Sequence, residues 1–279
     1  MEVRMKISVF YEHILEAAEQ EQISVSEVFK KASSYGIKGI EIENKRLWED
    51  GEQIQKYLKE AHMEISCIYG FYDFFHGQKV EDGKKMVDLA KEYHSHKIMI
   101  IPGFLKRPER IFVLRRQKIN AMISALNEIS NYAQKNDIMM VLEDFDDKAA
   151  PYSTAKGLLY FLDHVDHLKC AFDTGNFLYS EENSYEVLPS FLNVIGHVHC
   201  KDRTFSYKEG EIPKKTIKGR EMYSCAVGNG VIEMKKIVHL ILQSGYDDYF
   251  AIEHFGSLCQ LSDIKTSVEM LNKFELERE

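Results

Sequence analysis

The chain contains eight short runs rich in Ile, Val, Phe and Tyr, separated by polar loops and segments with helical periodicity. Runs of this length and composition favour β-strands, and their regular alternation with helical segments favours strands joined by helices. This repeat constrains the fold more than any other feature. The predicted strands span residues 6–11, 36–43, 62–70, 96–104, 137–145, 168–175, 194–202 and 247–255.

Two architectures place eight strands in alternation with helices: a closed (β/α)8 barrel and an open, doubly wound sheet. A dinucleotide-binding open sheet carries a GxGxxG motif after its first strand, and this chain has none there. The 279 residues match the usual size of a barrel, and no linker divides them. We therefore predict an α/β fold, a single (β/α)8 TIM barrel that forms one domain over residues 1–279.

Helical periodicity between the strands predicts the helices that cover the barrel. One of them occupies residues 24–35, where Ser24 and Glu27 have the spacing of a capping box and Gly36 marks the end. The polar segment 203–232 is predicted to be a long loop over one face of the barrel. The other predicted helices span residues 51–63, 83–94, 116–136, 184–192, 233–245 and 262–277.

Composition excludes several classes of partner. The net charge of −8 argues against nucleic acid, because binding to a phosphate backbone needs a basic surface. No apolar run is long enough to span a membrane, and the first 22 residues do not have the pattern of a signal peptide. Five cysteines without CxxC spacing suit a reduced compartment. We expect a cytoplasmic protein with a small-molecule partner, and a homo-oligomer is compatible with the sequence.

Four of the predicted strands carry polar side chains near their carboxyl ends. Glu143, Asp173 and Glu253 each follow an apolar run. His197 and His199 lie two residues apart on one strand, so both side chains point to the same face. A charged group in such a position is costly to bury alone. Closure into a barrel would bring these strand ends together at the face where barrel enzymes build their active sites.

Three carboxylates and one imidazole form a suitable cage for one divalent cation. Mn²⁺ suits this donor set best, and Mg²⁺, Co²⁺ and Zn²⁺ are alternatives. The cation would offset the repulsion between the carboxylates. Taken one at a time, the same residues also fit a helix cap, a solvated loop, a core histidine or an ion pair. Periodicity alone does not decide between these interpretations and a metal site.

Short motifs along the chain resemble those of the xylose isomerase-like superfamily of sugar isomerases and epimerases. Its members include ketose 3-epimerases, hydroxypyruvate isomerase and inosose dehydratase. SYGIKGIEIE is similar to the second strand of the family, with Glu41 as the matching acid, and residues 227–253 resemble its closing Gly-x-Gly, helix, Gly-Tyr-Asp, strand and Glu sequence. The other matching motifs are LED at 142–144, FDTGN at 172–176, HVHCKD at 197–202 and IEH at 252–254.

The resemblance implies a metal ion held by four residues, with the second histidine of His-x-His as the ligand: Glu143, Asp173, His199 and Glu253. Glu143 and Glu253 would also serve as catalytic bases. The metal would polarise a substrate carbonyl and stabilise the enediolate formed on proton loss. Return of the proton gives isomerisation or epimerisation, and loss of a β-hydroxyl gives dehydration. We expect a metal-dependent isomerase or epimerase of a small sugar, sugar acid or cyclitol, with an inosose dehydratase-like dehydratase as the alternative.

Four residues close to these motifs are predicted to bind the substrate: Asn176, His197, Lys201 and Arg203. Asn176 stands where many of the epimerases carry a histidine, and an amide can still hydrogen-bond a sugar hydroxyl. His197 lies one pleat deeper than the implied ligand, so a core position is also compatible. Lys201 shares the ligand's strand face and could reach a substrate oxygen or a phosphate, as could Arg203.

Other side chains after the strands could contribute to a pocket. Aromatic rings that could wall it are Tyr11, Tyr69, Phe71 and Phe104, although each also fits ordinary packing. Arg107 and Arg110 follow the fourth strand and could meet an anionic group, or remain solvated.

Two other functions are compatible with a barrel of this kind. A DNA-repair nuclease of the endonuclease IV type has similar acids at its strand ends, but it needs several zinc ions and further histidines. Here strands three and four end in CIYGFYDFF and IIPGF, with no histidine until His76. A non-catalytic sugar-binding barrel would show an eroded metal site, whereas all four ligand positions are occupied by metal-binding residue types.

Overall fold

The computed structural model describes residues 5–77 and 79–277. Within these residues, eight parallel strands close into a barrel in which the first strand pairs with the last. This confirms the predicted (β/α)8 TIM barrel. The barrel strands are β1 (Lys6–Phe10), β2 (Gly39–Glu43), β3 (Glu64–Phe71), β4 (Lys97–Ile101), β5 (Met139–Glu143), β6 (Lys169–Asp173), β7 (Ile195–Cys200) and β11 (Tyr249–Ile252).

Helices lie between successive barrel strands. Short 3₁₀ segments occur at Arg107–Arg110, Leu188–Ser190 and Leu192–Val194. In the described part of the chain, no helix is both long enough and apolar enough to cross a membrane. The α-helices are α1 (Tyr11–Glu21), α2 (Val25–Tyr35), α3 (Asn44–Ala61), α4 (Val80–Glu92), α5 (Phe112–Lys135), α6 (Ala155–His164), α7 (Asn176–Tyr179), α8 (Ser184–Val187), α9 (Met234–Gln243) and α10 (Gln260–Leu276).

Local sequence signals explain several of these boundaries. Ser24 caps α2 by accepting a hydrogen bond from the Glu27 amide, and the Glu27 side chain accepts one from the Ser24 amide in return. Gly36 ends the same helix at φ 116°, a left-handed conformation that glycine adopts without a steric penalty. The capping box and the helix end are therefore confirmed.

The core lies between the barrel wall and the surrounding helices. Phe172, which points outward from β6, is completely buried against Phe177 of α7 and against Phe191. Phe250 in β11 is likewise completely buried and packs against Tyr246. Inside the barrel, small residues leave room for large polar ones. Ala171 lies directly opposite His197 in the pairing of β6 with β7.

The prediction of a long loop over residues 203–232 is partly wrong. It contains most of a small antiparallel sheet made of β8 (Asp202–Thr204), β9 (Lys214–Lys215) and β10 (Glu221–Cys225), with β10 in the middle. Sequence reasoning missed the sheet because its strands are two to five residues long and pair across intervening polar turns.

Asp202 closes the base of this segment. Its buried carboxylate accepts hydrogen bonds from the backbone amides of Gly228, Gly230 and Ile232, at 2.9, 3.0 and 3.3 Å. A Cβ on Gly230 would lie 2.0 Å from Asp202 Oδ1, so only glycine permits this approach. The start of this segment at Asp202 and its end at residues 228–232 are thereby held together beside the barrel.

Candidate metal centre and cavity

A cavity of about 590 Å³ opens at the carboxyl ends of the barrel strands. Part of its wall is aromatic, formed by Phe10, Tyr69, Phe71, Phe145 and Phe255. The remainder carries charged and polar side chains at or just after the ends of barrel strands, such as Glu143, Lys201 and Glu253, and in the small sheet. Such a mixture suits a small molecule with several hydroxyl groups.

Two of the four predicted wall aromatics, Tyr69 and Phe71, line this cavity. Phe104 contributes indirectly, because its ring packs edge-on against the lining ring of Phe145. Tyr11 instead packs against Phe29 in α2 and is not among the lining residues. Its position at the start of a helix turns its side chain away from the mouth.

The structure brings the four predicted metal ligands together at the floor of the cavity. One ligand atom from each of Glu143, Asp173, His199 and Glu253 lies within 4.8 Å of the others, and all four residues are buried. His199 Nδ1 is 3.1 Å from Glu143 Oε2, 3.7 Å from Glu253 Oε2 and 3.8 Å from Asp173 Oδ2. These positions follow from the strand register, which sets Asp173 directly opposite His199.

Asp173 shows that the cluster fits a cation. Its Oδ1 accepts hydrogen bonds from the backbone amides of Gly175 and Asn176, at 2.7 and 2.9 Å. Its Oδ2 is buried and has no hydrogen-bond partner among the described residues. A buried carboxylate oxygen without a donor is costly, and a divalent cation among three carboxylates and an imidazole would satisfy it.

Electrostatics at the cluster also favour a bound positive charge. Burial raises the pKa of Glu143 to about 7, with a further contribution from the neighbouring carboxylates of Glu253 and Asp173. Burial lowers the pKa of His199, but the surrounding carboxylates outweigh it and raise that pKa well above the usual value. The site therefore stabilises a cation where the ligand atoms converge.

Glu41 fixes the orientation of His199 from below. The Nε2 atom of His199 lies 3.1 and 3.2 Å from the two carboxylate oxygens of Glu41, which is completely buried in β2. Nδ1 is thereby left facing the three acids. A carboxylate behind a histidine ligand usually sets its tautomer and ring orientation. The matching acid in the family resemblance gave the signal for this residue, but not its role.

His197 occupies a lower position in the barrel and is absent from the described lining of the cavity. Its Nε2 lies 2.8 Å from Glu41 Oε2, and its Nδ1 lies 3.0 Å from Nζ of Lys97. Lys97 Nζ also lies 2.8 Å from Asp248 Oδ2. Both ring nitrogens of His197 are therefore engaged within the protein, at the core position that the sequence also allowed, and not at the cavity surface where a substrate contact was predicted.

Lys201 enters the cluster from the cavity side. Its Nζ contacts Glu253 Oε1 closely, donates to Asn176 Oδ1 at 2.8 Å and lies 3.5 Å from Asp173 Oδ2. Burial lowers the pKa of Lys201, but the carboxylates of Asp173 and Glu253 dominate and raise it above its usual value. A Cβ on Gly175 would lie 2.7 Å from the Lys201 side chain, so glycine there allows the turn after β6 to pack closely.

Asn176 and Arg203 both line the cavity, as their predicted roles require. The Asn176 side chain donates to the Asp144 carbonyl at 2.7 Å and lies 3.5 Å from Glu143 Oε2. It therefore holds neighbouring groups as well as facing the cavity. The Arg203 side chain is buried, and its Nη1 donates to the Phe255 carbonyl at 3.4 Å.

The two arginines after the fourth strand lie elsewhere. Arg107 and Arg110 belong to a 3₁₀ turn, and neither is among the residues that line the cavity. Arg110 Nε donates to the Leu105 carbonyl at 3.3 Å. The described structure thus gives them no part in the cavity.

Comparison with curated proteins finds relatives with a defined activity. An inosose dehydratase of Clostridium perfringens (strain 13 / Type A) is 25% identical over 240 residues, which cover 78% of this chain and 78% of the relative. Alignment over most of both chains extends the similarity well beyond the short motifs.

Several solved structures share the fold. The probable 3-DHS dehydratase AsbF of Bacillus anthracis superposes with a TM-score of 0.73 at 17% identity, over 96% of this chain and 98% of that one. A D-allulose 3-epimerase from Methylomonas sp. superposes with a TM-score of 0.73 at 15% identity, over 97% of this chain and 98% of that one. A Mycobacterium smegmatis protein in complex with magnesium superposes with a TM-score of 0.64 at 16% identity, over 89% of this chain and 87% of that one. At these identities the likeness shows the fold.

The family profile described as xylose isomerase-like TIM barrel matches residues 29–274. This range includes β2, which carries Glu41, and all four strand ends that form the acid and histidine cluster. The match covers most of the sequence and agrees with the closed barrel. The chain belongs to the xylose isomerase-like TIM barrel family.

Proposed function

We propose that the chain is a divalent-metal-dependent enzyme that removes the proton next to a carbonyl in a small polyhydroxylated molecule and then eliminates water. The observation that carries this proposal is the buried cluster at the cavity floor, where three carboxylates surround one imidazole nitrogen. The proposal shifts the emphasis from the isomerase or epimerase expected from sequence towards a dehydratase.

Four residues would hold the metal: Glu143, Asp173, His199 and Glu253. When bound, a divalent cation such as Mn²⁺ polarises a substrate carbonyl and supports the negative charge that develops on its oxygen after proton loss. The unmatched Oδ2 of Asp173 supports this assignment independently of any relative.

Glu143 is the proposed base. It lines the cavity, and burial raises its pKa to about 7, which suits a group that takes up and releases a proton near neutral pH. Asn176 lies 3.5 Å from one of its oxygens, on the protein side. The other oxygen can face the substrate C–H bond.

Lys201 is the proposed partner of the departing oxygen. Its ammonium group lines the cavity beside Glu253 and lies 3.5 Å from Asp173 Oδ2. If the metal holds that oxygen of Asp173, the third N–H of Lys201 would be free to donate a hydrogen bond to a β-hydroxyl as the C–O bond breaks. The proton that Glu143 received then joins the leaving hydroxide to form water. One proton and one hydroxyl leave the substrate, a double bond forms, and Glu143 returns to its starting state.

Dehydration is favoured over isomerisation by an asymmetry between the two glutamates. Lys201 contacts Glu253 closely, whereas Glu143 has no lysine partner among the described residues. One free base and one cation suit an elimination better than proton transfer between two equivalent bases. The aligned relative from C. perfringens is an inosose dehydratase, which supports the same choice.

An isomerase or epimerase is the second candidate. Glu143 and Glu253 both line the cavity from strands on different sides of the cluster, an arrangement that could remove a proton on one face and return it on another. The fold similarity to the D-allulose 3-epimerase is consistent with this reaction. It would require Lys201 to release Glu253 when substrate binds.

The two candidates differ in what happens after proton loss. We would incubate the Mn²⁺-loaded protein in D₂O with a panel of inososes, ketohexoses and polyhydroxy keto acids, and follow the products by mass spectrometry and NMR. A product lighter by one water supports the dehydratase, whereas deuterium at the α-carbon in an isomer of unchanged composition supports the isomerase. Absence of both from the whole panel contradicts both.

A further inference from the structure

We propose that the cavity contains a separate anion subsite formed by Arg203 and Lys214, and that the substrate therefore carries a carboxylate or phosphate group. This inference rests on the proposed function, because it specifies the substrate class of the same cavity. It adds a recognition element that neither the family match nor the relatives assign.

Arg203 is a buried cation with unused hydrogen-bonding capacity. The residue is only 5% exposed, and it lines the cavity. Its Nε atom is buried without a hydrogen-bond partner among the described residues, and its Nη1 makes one long bond to the Phe255 carbonyl. A guanidinium group has five N–H donors, so most of this one remains available to a ligand.

Lys214 supplies a second positive charge at the same place. Its Nζ lies 3.0 Å from Asp146 Oδ1, while Arg203 Nη2 lies 3.9 Å from Asp146 Oδ2. All three residues line the cavity. Within this group of three residues, two cations share one carboxylate, so one positive charge is in excess on this side of the cavity.

The small sheet holds the two cations in a fixed relation. Arg203 in β8 pairs with Ser224 of β10, and Lys214 in β9 pairs with Met222 of the same strand. Both backbones are therefore hydrogen-bonded to a common central strand. A subsite on paired strands holds its geometry better than one on an unpaired loop.

The charge environment of Lys201 differs from that of Arg203 and Lys214. This difference separates the proposed catalytic lysine from the proposed anion subsite. The Lys201 ammonium group is matched by Glu253 and Asp173 at the floor of the cavity. Arg203 is held at the Phe255 carbonyl, two residues beyond Glu253. The anionic group should therefore lie beside Phe255, away from the Lys201–Glu253 pair, which suits a sugar acid, a cyclic hydroxy acid or a sugar phosphate.

The test compares ligands that differ only in charge. We would measure the binding of D-glucuronate and D-glucuronamide to the Mn²⁺-loaded protein by calorimetry, and in parallel that of D-glucose 6-phosphate and D-glucose. We expect at least one anion to bind ten-fold or more tightly than its neutral partner. A preference in the first pair identifies a carboxylate subsite, and one in the second identifies a phosphate subsite.

Variants connect this preference to the residues. Arg203→Met should remove the preference for the anion and change the affinity for the neutral ligand less than two-fold. Lys214→Met should lower the affinity for the anion about three-fold. Lys218→Met is the matched control, because Lys218 is an exposed lysine in the same segment and does not line the cavity. If Arg203→Met unfolds, Arg203→Gln and Lys214→Met carry the test.

Equal affinities within both pairs, or failure of both anions to bind at 20 mM, would overturn the subsite. So would a folded Arg203 variant that retains the preference. None of these results affects Mn²⁺ binding or the exchange of substrate protons with D₂O. The proposed function would fail separately, through loss of those two properties in the parent protein.

Discussion

The barrel contains two levels of charged groups, all buried except the half-exposed Asp248, and they are organised differently. The lower level comprises Glu41, Lys97, His197 and Asp248, and the upper level comprises Glu143, Asp173, His199 and Glu253. In the lower level each group has a partner within 3.0 Å: Asp248 with Lys97, Lys97 with His197, and His197 with Glu41. The upper level gathers three carboxylates around one imidazole.

The charges of the two levels show the same contrast. Burial and the nearby Lys97 ammonium lower the pKa of His197 to about 4, so it is neutral beside one cation and two acids. Burial raises the pKa of Glu41, but the two histidines outweigh it and hold that pKa well below its usual value. In the upper level, by contrast, burial and like charges raise the pKa of Glu143 to about 7.

This contrast separates a structural network from a binding site. A buried polar network whose members satisfy one another can rigidify a core without a ligand. A buried oxygen that makes no hydrogen bond, such as Asp173 Oδ2 with Lys201 Nζ 3.5 Å away, can take a further partner from outside the chain. Both levels look alike in composition, and only the balance of partners distinguishes them.

Removing a metal ligand of the upper level should have the largest effect, a loss of metal binding. Asp173→Ala and His199→Ala should each weaken Mn²⁺ binding by more than about 100-fold, since loss of a ligand exceeds the 10–100-fold cost of losing an outer partner. Metal content after dialysis and calorimetric titration would measure this. Glu19→Gln, at an exposed position in α1, should bind metal like the parent. Undiminished occupancy in both ligand variants would exclude the proposed centre.

Glu143→Gln should separate metal binding from proton transfer. We expect the rate of α-proton exchange to fall by about 100-fold or more, because an amide cannot accept the proton. Mn²⁺ occupancy must be measured on the same sample, since Glu143 is also a proposed ligand. Exchange at the parent rate in a metal-replete variant would show that another group is the base.

Lys97→Met should affect the lower level while largely sparing the upper one. The variant removes the cation that pairs with Asp248 and His197, and we expect a loss of about 2 kcal/mol in the free energy of unfolding. Mn²⁺ affinity should change by less than about ten-fold, because Glu41 still supports His199. Urea denaturation and metal titration would test both parts. A collapse in metal affinity with normal stability would reverse the assignment of the levels.

The stability of the metal-free protein should depend on pH. Because the folded pKa of Glu143 is raised to about 7, its contribution is fully present below the unfolded value near 4.5 and is lost as pH rises through 7. Relative to Glu143→Gln, the parent should lose at most about 3 kcal/mol between these limits. Denaturation in EDTA at several pH values would measure the difference. A relative gain with rising pH would contradict the raised pKa.

The sequence was sufficient to predict the barrel, and with the family resemblance it also named the four residues that cluster in the upper level. Each upper-level acid follows an apolar run, so its strand and its position at the strand end can be read locally. Barrel closure then implies that the ends converge. Eight parallel strands in ring order confirm that step.

The lower level could not be read in the same way. Glu41 and Glu43 alternate in GIEIE, and no local signal shows which would be completely buried. Lys97 begins its strand and resembles an ordinary solvated lysine, yet it is 3% exposed. Its partners Asp248 and His197 are more than 90 residues away, so their contacts depend on barrel closure.

Among the helices that were not predicted, α1 and α6 show the physical reasons. α1 begins directly after β1, and its N-cap Phe10 provides no side-chain hydrogen bond. α6 does have a capping residue, Thr154, but it is only ten residues long and lies in a segment left without a predicted element. Here packing against the barrel, rather than a clear local start signal, determines the helix.

The closure at Asp202 has a consequence for how this scaffold could be redesigned. The excursion through β8, β9 and β10 leaves the barrel and returns to it at nearly the same point, where one carboxylate clamps three returning amides. A segment with adjacent ends can be exchanged as a cassette without moving the strands that precede and follow it. Replacing this segment would therefore change which molecules can enter the cavity and leave the acid and histidine cluster at the strand ends unchanged.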